Sequence, residues 1–160
     1  MRDLVNDTLC RLRSSCLGDL EWSAEAELWF ADGIPGFDRE QRLVPIEIPA
    51  QRPLVYLHSA CNPDVCFLAL PAPAIAPGFE LRLGPDDYQA LELDPDSRPE
   101  PGRDVLCLAL LGPCGNDIQA NLAAPVVISL HNQRGHQLTP AGAPEYWRLS
   151  KDGVWEAVCS

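Results

Sequence analysis

The sequence predicts a mainly β protein: a compact, antiparallel, β-barrel-like single domain over residues 1–160, with one short helix. Short runs of alternating apolar and polar residues recur roughly every 8–12 residues, which is typical of antiparallel strands. The 160 residues also include 16 prolines and 11 glycines, which suit turns between strands better than a bundle of helices. A chain of this length is sufficient for one hydrophobic core.

The first half of the chain is predicted to hold seven strands, bounded by turns rich in Gly, Pro, Asn and Asp. Asn62-Pro63-Asp64 is predicted to join two of them into a hairpin. The aromatic side chains of Trp29, Phe37 and Phe67 are expected in the core, because aromatic residues in strand patterns are usually buried. The predicted strands are residues 10–14, 20–22, 25–30, 42–48, 54–59, 65–70 and 79–83.

Residues 84–91 form the one predicted helix. Pro85 is at its first position, and Asp86 and Asp87 fall in its first turn, where the helix dipole favours acids. The Pro-rich stretch 94–104 is predicted to be an exposed loop. The rest of the chain returns to strand patterns. These are residues 105–111, 117–122, 126–131, 137–139, 146–149 and 154–158.

The charge of the chain argues against two classes of function. There are 23 acidic and 12 basic residues, a formal charge of −11, and Lys151 is the single lysine. Such a chain is a poor direct binder of nucleic acid or of an anionic membrane. No apolar stretch approaches the roughly 18 residues of a spanning helix, and the first residues lack the apolar run of a signal peptide. We therefore expect a cytoplasmic protein.

Two segments carry the whole charge imbalance. Residues 19–40 have a net charge of −6 and residues 80–104 a net charge of −5, whereas acids and bases balance elsewhere. Exposed charge often serves solubility alone. The alternative is an acidic surface that attracts a basic protein partner. The candidate acids for such a surface are Asp86, Asp87, Glu92, Asp94 and Asp96.

The seven cysteines and three histidines do not form a recognisable site. An odd cysteine count without a signal peptide favours reduced thiols that pack as small core residues. His58, Cys61 and Cys66 are close in sequence, but their spacing is unlike that of zinc ligands. No nucleophile, phosphate-binding or dinucleotide motif occurs, so neither an enzyme nor a cofactor is predicted. A small-ligand barrel or a thiol enzyme stays open as a hypothesis that rests only on the cysteine count.

Several loops, taken in order, resemble those of one known family. They are Leu17-Gly18-Asp19-Leu20-Glu21; Phe30 with Gly33-Ile34-Pro35-Gly36-Phe37; Leu57-His58-Ser59 with Pro63 and Cys66-Phe67-Leu68; and Asn121-Leu122-Ala123-Ala124-Pro125-Val126-Val127-Ile128 with Gly135 and Gln137. This ordered set, over about residues 10–139, resembles the flagellar assembly factor FliW family.

The resemblance implies a non-catalytic cytoplasmic protein with two protein partners, the RNA-binding translational regulator CsrA and flagellin. It implies a partner switch, in which the protein holds CsrA away from flagellin mRNA until flagellin accumulates and displaces it. The alternative is a flagellin-specific chaperone that does not act on CsrA. Phe79 is a candidate flagellin anchor. The residues expected to contact a partner are Gly33, Ile34, Pro35, Gly36, Asp86, Asp87, Asp94, Asp96, Asn121, Leu122 and Pro125.

Overall fold

The computed structural model describes residues 8–139 and 143–158. Within these residues the chain forms twelve strands, two short α-helices and two 3-10 helices (Ala24–Ala26 and Pro49–Gln51). The helices are α1 (Ala72–Ile75) and α2 (Pro85–Ala90). The strands are β1 (Leu9–Ser14), β2 (Gly18–Ser23), β3 (Leu28–Trp29), β4 (Arg42–Ile46), β5 (Val55–Ser59), β6 (Cys66–Pro71), β7 (Val105–Cys114), β8 (Asp117–Asn121), β9 (Val126–Ser129), β10 (Gly135–Gln137), β11 (Tyr146–Leu149) and β12 (Trp155–Ala157).

Antiparallel pairing organises these strands into a two-stranded hairpin and a ten-stranded sheet. β1 pairs only with β2 among the described strands, with Leu9 opposite Ser23 and Ser14 opposite Gly18. The larger sheet has the order β12-β11-β8-β7-β6-β5-β4-β3, and β9 pairs with both β7 and β10. The ten-residue strand β7 is the branch point, because it pairs with β6, β8 and β9.

The larger sheet curls back on itself but does not close into a barrel within the described residues. A single parallel bridge joins Trp29 of β3 to Arg134, just before β10. The Trp29 amide donates to the Gln133 carbonyl at 3.0 Å. The expected mainly antiparallel β fold is therefore confirmed. Its barrel-like curvature ends in one bridge rather than in a ladder of hydrogen bonds.

Two clusters of buried side chains fill the interior. One lies between β7, β8, β9 and the helices, and it includes Leu91, Val105 and Leu122. The other lies between β3, β4, β5 and β9, and its largest member, Phe30, is fully buried. Burial of each large side chain contributes about 1.5–3 kcal/mol, so these clusters are the main source of stability and fix the loops that emerge from them.

Polar contacts fasten the β1–β2 hairpin to the sheet. The buried His58 ring has its Nδ1 2.7 Å from the Ser59 carbonyl and its Nε2 2.7 Å from Ser14 Oγ. Because a carbonyl only accepts, Nδ1 carries a proton and donates to the Ser59 carbonyl, and Nε2 shares the second hydrogen bond with the Ser14 hydroxyl. Ser14 Oγ also accepts from the amides of Cys16 and Leu17. Both ring nitrogens of His58 are therefore occupied by structural hydrogen bonds.

Most predicted elements are found, but the sequence predicted one helix and α1 is a second, and two predicted strands differ for separate reasons. The helix at 84–91 is confirmed as α2. The predicted strand at 79–83 is wrong: Phe79, Leu81 and Leu83 pack against the core, but no strand pairs with this segment in the described chain. The alternation of apolar and polar residues in this segment reflects burial of one of its faces, and such burial does not require pairing with a neighbouring strand. The predicted strand at 25–30 is reduced to β3, because a 3-10 helix capped by Ser23 precedes it.

Two of the three aromatic residues expected in the core are exposed. Phe37 is 45% exposed and Trp29 is 39% exposed, so the prediction is wrong for both, whereas Phe67 is half-buried. Phe37 and Phe67 pack edge to face, with ring centroids 5.0 Å apart and planes at 86°. The Phe37 ring therefore packs against the Phe67 ring at the surface, and it is not buried in the core as expected.

Candidate protein-binding surfaces

Gly33, Ile34, Pro35 and Gly36 form a tight turn whose two halves have different roles. The Phe37 amide donates to the Ile34 carbonyl at 2.6 Å, and Gly36 has a φ of +86°. Pro followed by a residue at positive φ is the pattern of a type II turn. Ile34 is only 3% exposed, so its side chain anchors the turn in the core. Pro35 and Gly36 lie at the exposed tip beside Phe37.

Gly33 is required by the backbone around it. Its φ is +66°, and a Cβ at this position would lie 2.5 Å from the Phe37 carbonyl oxygen and 2.8 Å from the Asp38 Cα. Side chains rarely adopt this conformation, and no side chain fits this space. Gly33 is buried. It therefore shapes the turn and leaves the tip residues to face solvent.

Asn121, Leu122 and Pro125 hold the corner between β8 and β9. The Asn121 Oδ1 accepts from the amides of Ala123 and Glu145, both at 3.0 Å. Leu122 is 3% exposed and belongs to the core, and Pro125 is also buried. The side chains of Leu122 and Pro125 thus fix the position of the corner, while its surface is formed by Asn121 and its neighbours.

The five candidate acids around α2 have different environments, and Glu92 lies 3.4 Å from Arg134. Asp87 is half-buried, with one carboxylate oxygen accepting from the Gly84 amide at 2.7 Å and the other 3.1 Å from His136 Nε2. Asp94 is exposed and accepts from the Asp96 amide at 3.0 Å, which shapes the loop after the helix. Asp86 and Asp96 are exposed without a side-chain partner among the described residues. Asp87 is structural, and Asp86 and Asp96 are available to a partner.

One groove brings the acidic helix and the Asn121–Pro125 corner together. It has a volume of about 1000 Å³. Its walls come from the segment 76–87, the corner at 122–125, β10 with the residues after it, and the start of β11. Trp147 lines it, and the indole Nε1 of this residue is buried without a hydrogen-bond partner among the described residues. Two segments that are 35 residues apart in sequence thus share one surface depression.

The two acidic segments both contact the turn between β9 and β10. On one side, Gln133 Nε2 donates to the Glu25 carbonyl at 2.6 Å. On the other side, the Asn132 amide group donates to the Leu91 carbonyl at 2.9 Å, and Arg134 lies 3.4 Å from Glu92. Residues 19–40 and 80–104, which hold the whole charge imbalance, therefore meet around one hairpin.

A histidine at each end of this turn pairs with an acid of the second segment. His131 Nε2 lies 3.1 Å from Asp104, and His136 Nε2 lies 3.1 Å from Asp87. The Glu100 amide and, to a lesser extent, His131 donate hydrogen bonds that lower the pKa of Asp104 below its usual value. These partners are 27 and 49 residues away in sequence, so no local pattern indicated them.

The described cysteines are free thiols with unequal exposure. Cys107 is buried, whereas Cys16, Cys61 and Cys114 are exposed. The prediction that the thiols pack as core residues is therefore correct for Cys107. It is wrong for Cys16 and Cys114, which lie at the turns that follow β1 and end β7.

In residues 8–139 and 143–158, no three His, Cys, Asp or Glu side chains are grouped so that they would hold a metal ion. Within the same residues, none of the helices has the length and apolar character needed to cross a membrane.

Comparison with known proteins gives a consistent result. Residues 11–148 match the family model described as FliW protein. The flagellar assembly factor FliW of Syntrophomonas wolfei is 29% identical over 130 residues, which are 79% of each chain. That of Treponema pallidum is 27% identical over 147 residues, 91% of this chain and 92% of the relative. A crystal structure of the flagellar assembly factor FliW has a TM-score of 0.71 at 25% identity, covering 83% of this chain and 90% of that one.

Proposed function

Because the chain belongs to the FliW protein family, we propose that it is a flagellar assembly factor that acts in the cytoplasm as a non-catalytic regulator. It binds a CsrA-type translational regulator and so relieves repression of flagellin mRNA. Flagellin is the second partner, and its accumulation releases the regulator. Family membership over residues 11–148 is the observation that carries this proposal.

The distribution of charge supports a basic partner. Most acids of the two segments are exposed, and both segments contact the β9–β10 turn. An RNA-binding regulator carries positive charge where it meets phosphates. Acidic surfaces increase the rate at which such a protein associates, and salt weakens this effect.

The test is release of RNA from a regulator–RNA complex. The full chain is added at micromolar concentration and low salt to a CsrA-type protein bound to labelled flagellin leader RNA, and fluorescence anisotropy follows the RNA. We expect the anisotropy to fall as RNA is released, and added flagellin to restore it. Unchanged anisotropy at saturating protein would contradict the proposal.

The same proteins distinguish the alternative function. A flagellin-specific chaperone would bind flagellin in a pull-down and would not bind the CsrA-type regulator. Capture of both partners separately, with less regulator captured when flagellin is present, is the result expected for the partner switch.

A further inference from the structure

The groove between α2 and the Asn121–Pro125 corner has an apolar floor. Leu122 and Leu138 lie at its base as buried core residues, and the half-buried Phe79, Leu83 and Trp147 form its sides. Its volume of about 1000 Å³ is at the upper end of the range for small-molecule sites. Such a depression has room for several side chains of a partner.

The rim of this groove is acidic on two separate stretches of chain. Glu80 precedes α2, Asp86 lies in α2 and Glu145 precedes β11, and all three are exposed. Among the described residues that line the groove, Arg82 is the one with a fixed positive charge, and it lies 3.7 Å from Glu80. His136 is held by Asp87 at 3.1 Å. The uncompensated charge at the rim is therefore negative.

This combination specifies the chemistry of the occupant. An apolar floor favours aliphatic or aromatic side chains, because their burial removes apolar surface from water. Carboxylates at the rim favour Lys or Arg next to those side chains and disfavour an acidic segment. We infer that this groove holds a segment of the basic regulator in which Lys or Arg residues flank apolar side chains. The inference rests on the function proposed above and adds the surface and the chemistry of the contact.

The experiment compares two matched triple variants of the full chain. The rim variant is Glu80→Lys, Asp86→Lys and Glu145→Lys. The control variant, Glu47→Lys, Asp152→Lys and Glu156→Lys, makes the same change in net charge at exposed acids outside both acidic segments. Circular dichroism and Tm establish that both fold. Association with an immobilised CsrA-type regulator is measured at 50 mM and 500 mM salt. Amide exchange of the wild-type chain then locates the protected residues.

We expect the rim variant to associate at least about tenfold more slowly at low salt, and this difference to shrink at high salt. The control variant is expected to change by no more than about twofold. Bound regulator is expected to protect amides in residues 122–124 and 136–138. Equal losses in the two variants, or protection that excludes these residues, would overturn the inference.

Two further outcomes separate this inference from the proposed function. If wild-type protein does not bind the regulator at all, both fail. If it binds but the rim variant binds equally well, only the groove assignment fails. Loss of flagellin binding in the rim variant, with regulator binding intact, would assign the groove to flagellin and overturn the choice of occupant.

Discussion

The ring of Phe30 packs directly on the backbone of Gly135. A Cβ added at residue 135 would overlap three atoms of this ring, with even the farthest of them, Cε2, only 2.6 Å away. Phe30 is fully buried and belongs to the core cluster beneath β3 and β4. The contact also lies next to the bridge between Trp29 and Arg134. Glycine is therefore needed at position 135, because the backbone of β10 lies directly against the Phe30 ring where it approaches β3.

Gly135→Ala is expected to destabilise the fold by about 1–3 kcal/mol or more. Phe30 is fully buried, so an added Cβ forces a shift of either its ring or the backbone at the bridge. Urea unfolding followed by tryptophan fluorescence measures the change in the free energy of unfolding.

Gly112→Ala is the matched control for this substitution. Gly112 lies in β7 at negative φ, and a Cβ there would meet nothing within 4 Å. This variant is expected to be neutral or more stable by about 0.4–1 kcal/mol, because it restricts the unfolded chain. Equal stability of the two variants would contradict the assigned role of Gly135.

Two buried serines are expected to respond in opposite ways to replacement by alanine. Ser14 Oγ contacts His58 and the amides of Cys16 and Leu17. Ser129 Oγ is buried with no hydrogen-bond partner among the described residues. Ser14→Ala leaves buried polar groups unpaired and is expected to cost about 1–3 kcal/mol. Ser129→Ala removes an unpaired hydroxyl and is expected to be neutral or stabilising.

The free energies of unfolding of both serine variants and of wild type are measured in the same urea titration. A loss of more than about 1 kcal/mol for Ser129→Ala would indicate that its hydroxyl has a partner. A neutral Ser14→Ala would mean that the hairpin contact with His58 contributes little.

Local features of the fold were predictable from the sequence. Pro85 and the acids after it identified α2, and the structure adds that Asp87 accepts from the Gly84 amide. The hairpin around Asn62-Pro63-Asp64 also follows from its turn residues, since β5 and β6 pair with His58 opposite Cys66. These signals act over a few residues, so one stretch of sequence is enough to read them.

The groove depends on contacts between distant residues and was not predicted. Phe79, Leu81 and Leu83 alternate as strand residues do, yet no strand pairs with them in the described chain. Nothing in the sequence places this segment opposite residues 122–125. The candidate segments were identified separately through a resemblance and through charge, and only the structure brings α2 and the corner into one depression.

Glu27 is expected to make folding stability depend on pH in the acidic range. The Glu27 carboxylate accepts hydrogen bonds from Arg42 Nε and Nη2, both at 2.8 Å. It also accepts one from Trp22 Nε1 at 3.0 Å. The Arg42 hydrogen bonds are the main reason that the pKa of Glu27 is lowered, and burial partly opposes them. A carboxyl whose pKa is lower in the folded protein than in the unfolded chain stabilises the fold at pH values above the unfolded pKa. This stabilisation is lost as the pH falls through the folded-state pKa.

Glu27→Gln is therefore expected to cost about 1–2 kcal/mol at pH 7, given that Arg42 is partly exposed. The difference from wild type is expected to narrow as the pH is lowered from about 5 to 3. Tm measured from pH 7 down to pH 3 tests both points. Glu21→Gln is the control, because its pair with Arg11 is exposed at 3.6 Å and contributes little. A difference that stays constant with pH would contradict the prediction.

The cysteines are expected to react with alkylating reagents in the order of their exposure. Burial raises the pKa of the Cys107 thiol to about 11, and burial together with the nearby Cys16 raises that of Cys66 to about 11. At pH 8 each of these two thiols is then deprotonated in roughly one molecule in a thousand, and the thiolate is the form that reacts. Cys16, Cys61 and Cys114 are exposed and are expected to be modified first.

Mass spectrometry of peptides after timed exposure to iodoacetamide gives a rate for each thiol. Unfolding in guanidinium is expected to bring these rates together, because the differences arise from the fold. A native Cys107 that reacts as fast as Cys114 would contradict the burial argument. A thiol that reacts faster in the native protein than in the unfolded chain would be an activated cysteine, and would revive the thiol-enzyme hypothesis that arose from the cysteine count.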